Sequence, residues 1–260
     1  MFRKRIFALV LCLLALLSMA ACGEKRGGCY ITSVGLDART IAVSCREGDP
    51  LFETLYAAMQ VRIADGTAAQ LSTRWFGENL VNMDGNIDAL AGMEVQPGRV
   101  LVVGYEASAM PLSGRDEKEE PQGFEVELAK SVCELLGWEY RAIPISSQDL
   151  VIELASGEVD CVWGGIGASS DTGVQSFTYM QTEYVLVSMR DARVKKAKAL
   201  KEKAVCYPQF AEAAAETLQL ADRATTAVAL QNTEDCIAAL KAGRCDAVLT
   251  DSIAAAYYAR

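Results

Sequence analysis

The spacing of apolar residues changes period several times along the chain. From Leu51 they recur at helical spacing through Leu55, Ala58, Met59 and Ile63, just after Asp49-Pro50. An Asp cap with Pro in the first turn opens a helix, and Asp65-Gly66 closes it. A shorter helix through Ala68, Leu71 and Trp75 ends at Gly77. Residues 82–99 have three glycines, one proline, two asparagines and no period, the composition of a linker.

Beyond it, strands and helices alternate. Val100–Val103 is wholly apolar and reads as a buried strand, and residues 114–123 read as a polar turn or hairpin tip. From Phe124 to Leu136 the spacing predicts an amphipathic helix with Leu128, Ala129, Val132, Leu135 and Leu136 on one side and Gly137 as its cap. "WEYRAIPI" is a strand, and Ser146–Asp149 fits a capping box before Leu150, Val151 and Leu154. Gly157 ends that helix, and a strand follows at Val159–Trp163. After "EYVLVSMRD" the basic run "RVKKAKALKEK" reads as a solvated helix face. The pattern then predicts a strand at Ala204–Tyr207, a helix over Ala211–Leu220 and a β segment near Thr226–Ala229. A helix over Thr233–Ala242, a strand at Asp246–Thr250 and a helix over Ser252–Tyr258 complete it. Such alternation argues for parallel α/β units.

One internal echo bears on domain organisation. "LASGEVDCVWG" at 154–164 and "LKAGRCDAVLT" at 240–250 share Leu-x-[Ser/Ala]-Gly-x-x-Asp-x-Val. Each reads as a last helical turn, a glycine in the left-handed cap and a strand entering a sheet. Two α/β lobes on one plan are expected, rather than one long sheet.

The N-terminus has a different character. Arg3, Lys4 and Arg5 precede an uncharged run, Ile6 to Ala21, that ends in small residues before Cys22. This is the pattern of a secretory signal, slightly short for a membrane span. "SMAAC" resembles a bacterial lipobox with Met19 where Leu is usual, making Cys22 the candidate lipidation site. An ordinary cleaved signal is the alternative. The resulting location is extracytoplasmic, lipid-anchored to the cell membrane.

Loss of residues 1–22 leaves 22 basic against 34 acidic side chains, a net charge of −12. That argues against nucleic acid or an anionic membrane surface as partner. Seven of the nine cysteines lie beyond Cys22, none in a CxxC pair, and the chain has no histidine. No metal site and no cofactor are expected, and the thiols read as small buried hydrophobes, with one disulfide left open.

"PQGFEVELAKSVCELLGWEY" resembles the opening helix of the family-3 bacterial solute-binding proteins, the amino-acid-type binding proteins of ABC importers. "LASGEVDCVWGGIGASSDT" resembles the family's helix, strand and loop along the ligand cleft. "LKAGRCDAVLTDS" resembles the counterpart in the second lobe. "IAVSCREGDPLFETLYAAMQVRIADGTAAQLSTRWFG" resembles the family's closing segment. The resemblance implies an α/β, two-lobed, type II periplasmic-binding-protein fold. The closing segment comes first here, and no part occurs twice, so the chain reads as circularly permuted, with 82–99 joining the old termini. The implied lobes are 37–187, and 23–36 with 188–260.

The resemblance also implies a ligand site. Asp251 stands where the family holds an ammonium group, although Asp there also suits a helix cap. Thr172 stands where the family has its carboxylate-binding Arg, and no Arg or Lys lies between Arg141 and Arg190. Gly165, Gly167 and Ser169 offer backbone N–H groups or simply form a turn. Glu106 aligns with an acidic position some members use for cationic side chains, and Ala109 replaces an aromatic one. Phe210 and Glu212 replace a small anchoring loop. The expected cleft is acidic, poor at gripping a carboxylate, and better matched to a cation or amine than to a zwitterion.

The function this implies is an extracytoplasmic solute-binding lipoprotein of an ABC importer. It would be a monomer that takes an amino acid or small amine and docks on a permease. A sensor or scaffold that no longer serves transport is the alternative. A dehydratase-like enzyme on the same fold is disfavoured by the missing cationic grips and histidines.

Overall fold

Residues 28–36, 39–146, 149–165 and 173–259 are described by the structure, a computed structural model. The strands are β1 (Cys29–Ser33), β2 (Arg39–Arg46), β3 (Val100–Glu106), β4 (Gly114–Arg115), β5 (Pro121–Gln122) and β6 (Glu139–Ile145). They continue with β7 (Cys161–Gly165), β8 (Val174–Thr182), β9 (Tyr184–Met189), β10 (Ala204–Pro208), β11 (Thr226–Leu230) and β12 (Ala247–Asp251). The helices are α1 (Leu51–Ala64), α2 (Thr67–Phe76), α3 (Phe124–Leu136), α4 (Leu150–Ser156), α5 (Glu212–Thr217), α6 (Leu220–Arg223), α7 (Thr233–Lys241) and α8 (Ser252–Tyr258).

Two five-stranded sheets result. One has the order β6-β3-β7-β2-β8, the other β1-β9-β12-β10-β11. In the first, β3 runs parallel to β6 and β7, while β2 runs antiparallel to β7 and β8. In the second, β10 runs parallel to β11 and β12, while β9 runs antiparallel to β1 and β12. β2 and β3 share a sheet although the 82–99 linker separates them in sequence. β9, at 184–189, spans the expected lobe border at 187/188 and hydrogen-bonds with the second sheet.

The first sheet packs its core against α1 and α3. Ile41, Leu55, Met59, Leu101, Leu128 and Trp163 are all sealed from solvent there. The linker has no regular element, yet Met83, Leu90 and Val95 rest on that core, so it is pinned to the surface. Both glycines of the internal echo hold the left-handed cap, Gly157 at φ 80° and Gly243 at φ 70°.

Two expectations about helices fail. The basic run at 193–203 forms only a single 3-10 turn, Ala197–Leu200. Its apolar positions are too few to give a helix a face to bury; Val194 and Leu200 enter the core and Ala197 packs on its edge. The helix expected over 211–220 breaks at Gln219, which is left-handed at φ 54°. Leu218 and Leu220 both enter the same core cluster. Two residues apart on one helix they would point about 200° away from each other. The break lets both face inward.

The chain passes between the sheets twice. One passage lies between β1 and β2; the other joins β8 to β9 through Glu183 alone. β2 begins at Arg39 opposite Thr182, and β12 ends at Asp251 opposite Tyr184. Along that continuous strand the end of β12 and the start of β2 therefore meet head to tail.

Candidate functional site

The parallel strands of both sheets point their C-terminal ends into one crevice, where α/β sheets bind ligands. The crevice holds a cavity of about 300 Å³. One wall comes from the first sheet and α3, through Glu106, Ser108, Ala109, Glu125, Trp163 and Gly164. The loops after β10 and β11 form the other, through Gln209, Phe210, Gln231 and Asn232. Arg39 lines it from the passage between the sheets. Both walls combine apolar surface with a few polar groups, as small-molecule sites do.

Arg39 and Asp251 form a buried ion pair, Nη1 donating to Oδ2 at 2.9 Å. The guanidinium also lies over the Phe210 ring, 4.2 Å from its centroid. Asp251 Oδ1 accepts the Ala254 N–H at 2.9 Å and so caps α8. Both carboxylate oxygens are thus engaged. Asp251 lies in a narrow recess beside the main cavity, together with Arg39 and Phe210. The helix cap weighed for Asp251 is observed, and its other oxygen is held by a cation of the chain itself.

Glu106 and Glu125 keep carboxylates in the cleft, but Arg39 adds a guanidinium that the sequence reading did not place there. The resemblance pointed to position 172 for a cation, whereas this one comes from the first residue of β2. A charged residue heading the apolar run "RTIAVSC" was the available signal.

Glu125 is a second residue whose part in the site the sequence reading missed. It occupies the first turn of α3, buried, in register with the buried Ala129, Val132 and Leu136. A carboxylate on that apolar stripe was the signal. Tyr179 donates its hydroxyl to Glu125 Oε1 at 3.0 Å. Burial pushes the Glu125 carboxyl up to about 7, against the opposing pull of the Tyr179 hydrogen bond and the Arg39 charge. Gly164, at φ 88°, passes so close that a β-carbon there would fall on the Glu125 carboxylate. Only glycine fits both that backbone angle and that approach.

Glu106 ends β3, lines the cavity and accepts the Ser108 hydroxyl at 2.9 Å. Ser113 donates to the Glu106 carbonyl at 2.9 Å, tying the loop back onto the strand. Gly165 ends β7 opposite Ala42. Glu212 opens α5 as an exposed residue and is not among the residues lining the cavity. α5 turns outward after Phe210, so the loop presents its aromatic residue to the cavity instead. Gly167, Ser169, Thr172 and Cys22 lie outside the described residues.

All seven cysteines from Cys29 to Cys245 are buried free thiols, as the apolar reading expected. Among the described residues no cluster of His, Cys, Asp or Glu could hold a metal, and no helix is long and apolar enough to cross a membrane.

Two lobes of mixed α/β structure around a polar-lined crevice define the type II periplasmic amino-acid-binding architecture. The comparisons agree. Residues 101–205 match the bacterial extracellular solute-binding proteins, family 3. It is 30% identical over 108 residues to the arginine-binding extracellular protein ArtP of Bacillus subtilis (strain 168). That stretch covers 40% of this chain and 42% of the relative, so the match spans less than half of that protein. Among solved structures, the ancestral amino acid-binding protein AncCDT-1, a precursor of cyclohexadienyl dehydratase, superposes with a TM-score of 0.53 at 26% identity. The superposition covers 62% of this chain and 73% of that one. The arginine-bound, truncated ArgBP from T. maritima gives a TM-score of 0.51 at 26% identity, covering 61% and 76%.

Proposed function

We propose that this chain is an extracytoplasmic solute-binding lipoprotein of an ABC importer that closes its two lobes on an amino acid or related small amine. The observation that carries this reading is the 300 Å³ cavity between the sheets, lined from both by polar side chains at strand ends. The names of the relatives, which bind arginine or amino acids, support the ligand class. A thermal-shift screen of amino acids, polyamines and quaternary amines tests it. A rise in unfolding temperature with one class is the expected result, and no shift with any of them would overturn it.

The anchor belongs to the same proposal. Lipid on Cys22 would hold the protein at the outer face of the cell membrane, within reach of a permease. Cys22→Ser should then release it from the membrane fraction. Unchanged membrane association would refute the anchor.

The circular permutation is likewise proposed, with lobes at 37–187 and at 23–36 with 188–260. Its support is positional. Residues 39–76, which resemble the family's ending, place β2 between β7 and β8 and pack α1 and α2 on α3. They thus complete the lobe to which the matched segment contributes. Restoring the family order, by joining residue 260 to residue 29 and opening the chain at 82–99, should give a folded protein with the same ligand preference. Failure of that variant to fold would count against it.

A further inference from the structure

No Arg or Lys lies between Arg141 and Arg190, so a carboxylate-bearing ligand needs its cationic partner elsewhere. We propose that Arg39 is that partner, anchoring the carboxylate of an α-amino acid through the guanidinium edge that Asp251 leaves unused. This inference rests on the amino-acid-binding reading of the cleft and assigns its anion subsite.

Three observations carry it. Arg39 lines the main cavity, and its side chain is nine-tenths buried. Its Nη1 is committed to Asp251, but Nε is buried with no hydrogen-bond partner among the described residues. A buried donor left unsatisfied costs free energy, and a guanidinium edge matches a carboxylate with two parallel N–H bonds. The third observation is positional rigidity. Asp251 on one side and the Phe210 ring beneath fix the guanidinium plane, so a ligand need not order it.

The surrounding charges agree. Asp251 balances the Arg39 charge, and Glu106 and Glu125 are further carboxylates lining the cavity. A zwitterion with its carboxylate on Arg39 has these carboxylates to receive its ammonium. A bare amine brings no acceptor to the unpaired donor and meets the like charge of the guanidinium.

The test is calorimetric titration of the full-length protein in detergent with α-amino acids and their decarboxylated amines, L-arginine with agmatine and L-histidine with histamine. The wild type should bind at least one amino acid about tenfold or more tightly than its amine, as loss of a charged hydrogen bond implies. Arg39→Met with Asp251→Asn removes both charges and keeps a capping side chain at 251. This variant should lose about tenfold or more for the amino acid and change little for the amine. Arg39→Lys keeps the ion pair without the Nε edge and should show the same selective loss, which carries the test if the double variant fails to fold. Tight amino-acid binding unchanged in these variants would overturn the anchor and leave the binding function standing. Equal binding of amine and amino acid to the wild type would do the same. No binding by any compound of the panel would overturn both.

Discussion

Arg39 Nη1 stands 2.9 Å from Asp251 Oδ2, although the two residues are 212 positions apart. They meet because β2 and β12 line up end to end along the continuous β8–β9 strand. The pair joins the two sheets where the chain crosses between them.

Breaking this pair from one side should be costly. Asp251→Asn preserves a cap for α8, because Asn accepts the Ala254 N–H nearly as well. It leaves the buried Arg39 without its counter-charge, a loss of about 3–5 kcal/mol by the behaviour of such pairs. Arg39→Met with Asp251→Asn should lose less than Asp251→Asn alone. Urea unfolding of the three proteins measures this, and a double variant less stable than Asp251→Asn alone would contradict it.

Glu125 should make stability fall with rising pH. Its folded-state carboxyl titrates at about 7, above the ordinary value of 4.5, so the folded state binds the proton more tightly than the unfolded state. The stabilisation is complete below about pH 4.5 and is lost as pH rises to about 7, by on the order of 3 kcal/mol. Glu125→Gln removes this component. The stability of the variant relative to wild type should therefore climb between pH 4.5 and 7. Parallel stability curves across that window would show that Glu125 does not titrate there.

Gly164→Ala should disturb the site from beneath. The positive φ costs a β-carbon about 1 kcal/mol, and displacing the Glu125 carboxylate adds to it. A total loss of about 2–4 kcal/mol is expected, with part recovered in Gly164→Ala with Glu125→Ala. Thermal unfolding of both variants, with no recovery in the second, would mean the carboxylate is not what the methyl group meets.

The thiols should be inert in the native state. Burial pushes Cys45, Cys133 and Cys236 up to about 12 and Cys161 well above its ordinary value. The thiolate is the reactive form, so alkylation at pH 8 should spare these four until the protein is unfolded. Peptide mapping after iodoacetamide treatment, with and without urea, reads this directly. Ready labelling of Cys161 in the folded protein would be the contrary result.

Local pattern determined much of the molecule. Period and capping marked α3 to its end residues and placed α1, α2 and α7 within a residue or two, because amphipathic faces and left-handed glycines are written in neighbouring residues. The echo around Gly157 and Gly243 announced two similar lobes for the same reason. The break at Gln219 was not legible, because it depends on a core that Leu218 and Leu220 must both reach. The site was legible only in part. Asp251 and Glu106, singled out through the resemblance, end β12 and β3. Arg39 reaches the cleft only because β2 and β12 abut on a third strand. The charge on Glu125 depends on what seals it, namely Tyr179, Gly164 and the core behind α3. Sequence alone set the elements whose period and caps are local, such as α3 and α7. Tertiary structure decided which charges face each other, since electrostatic pairing and desolvation act through space between residues far apart in the chain.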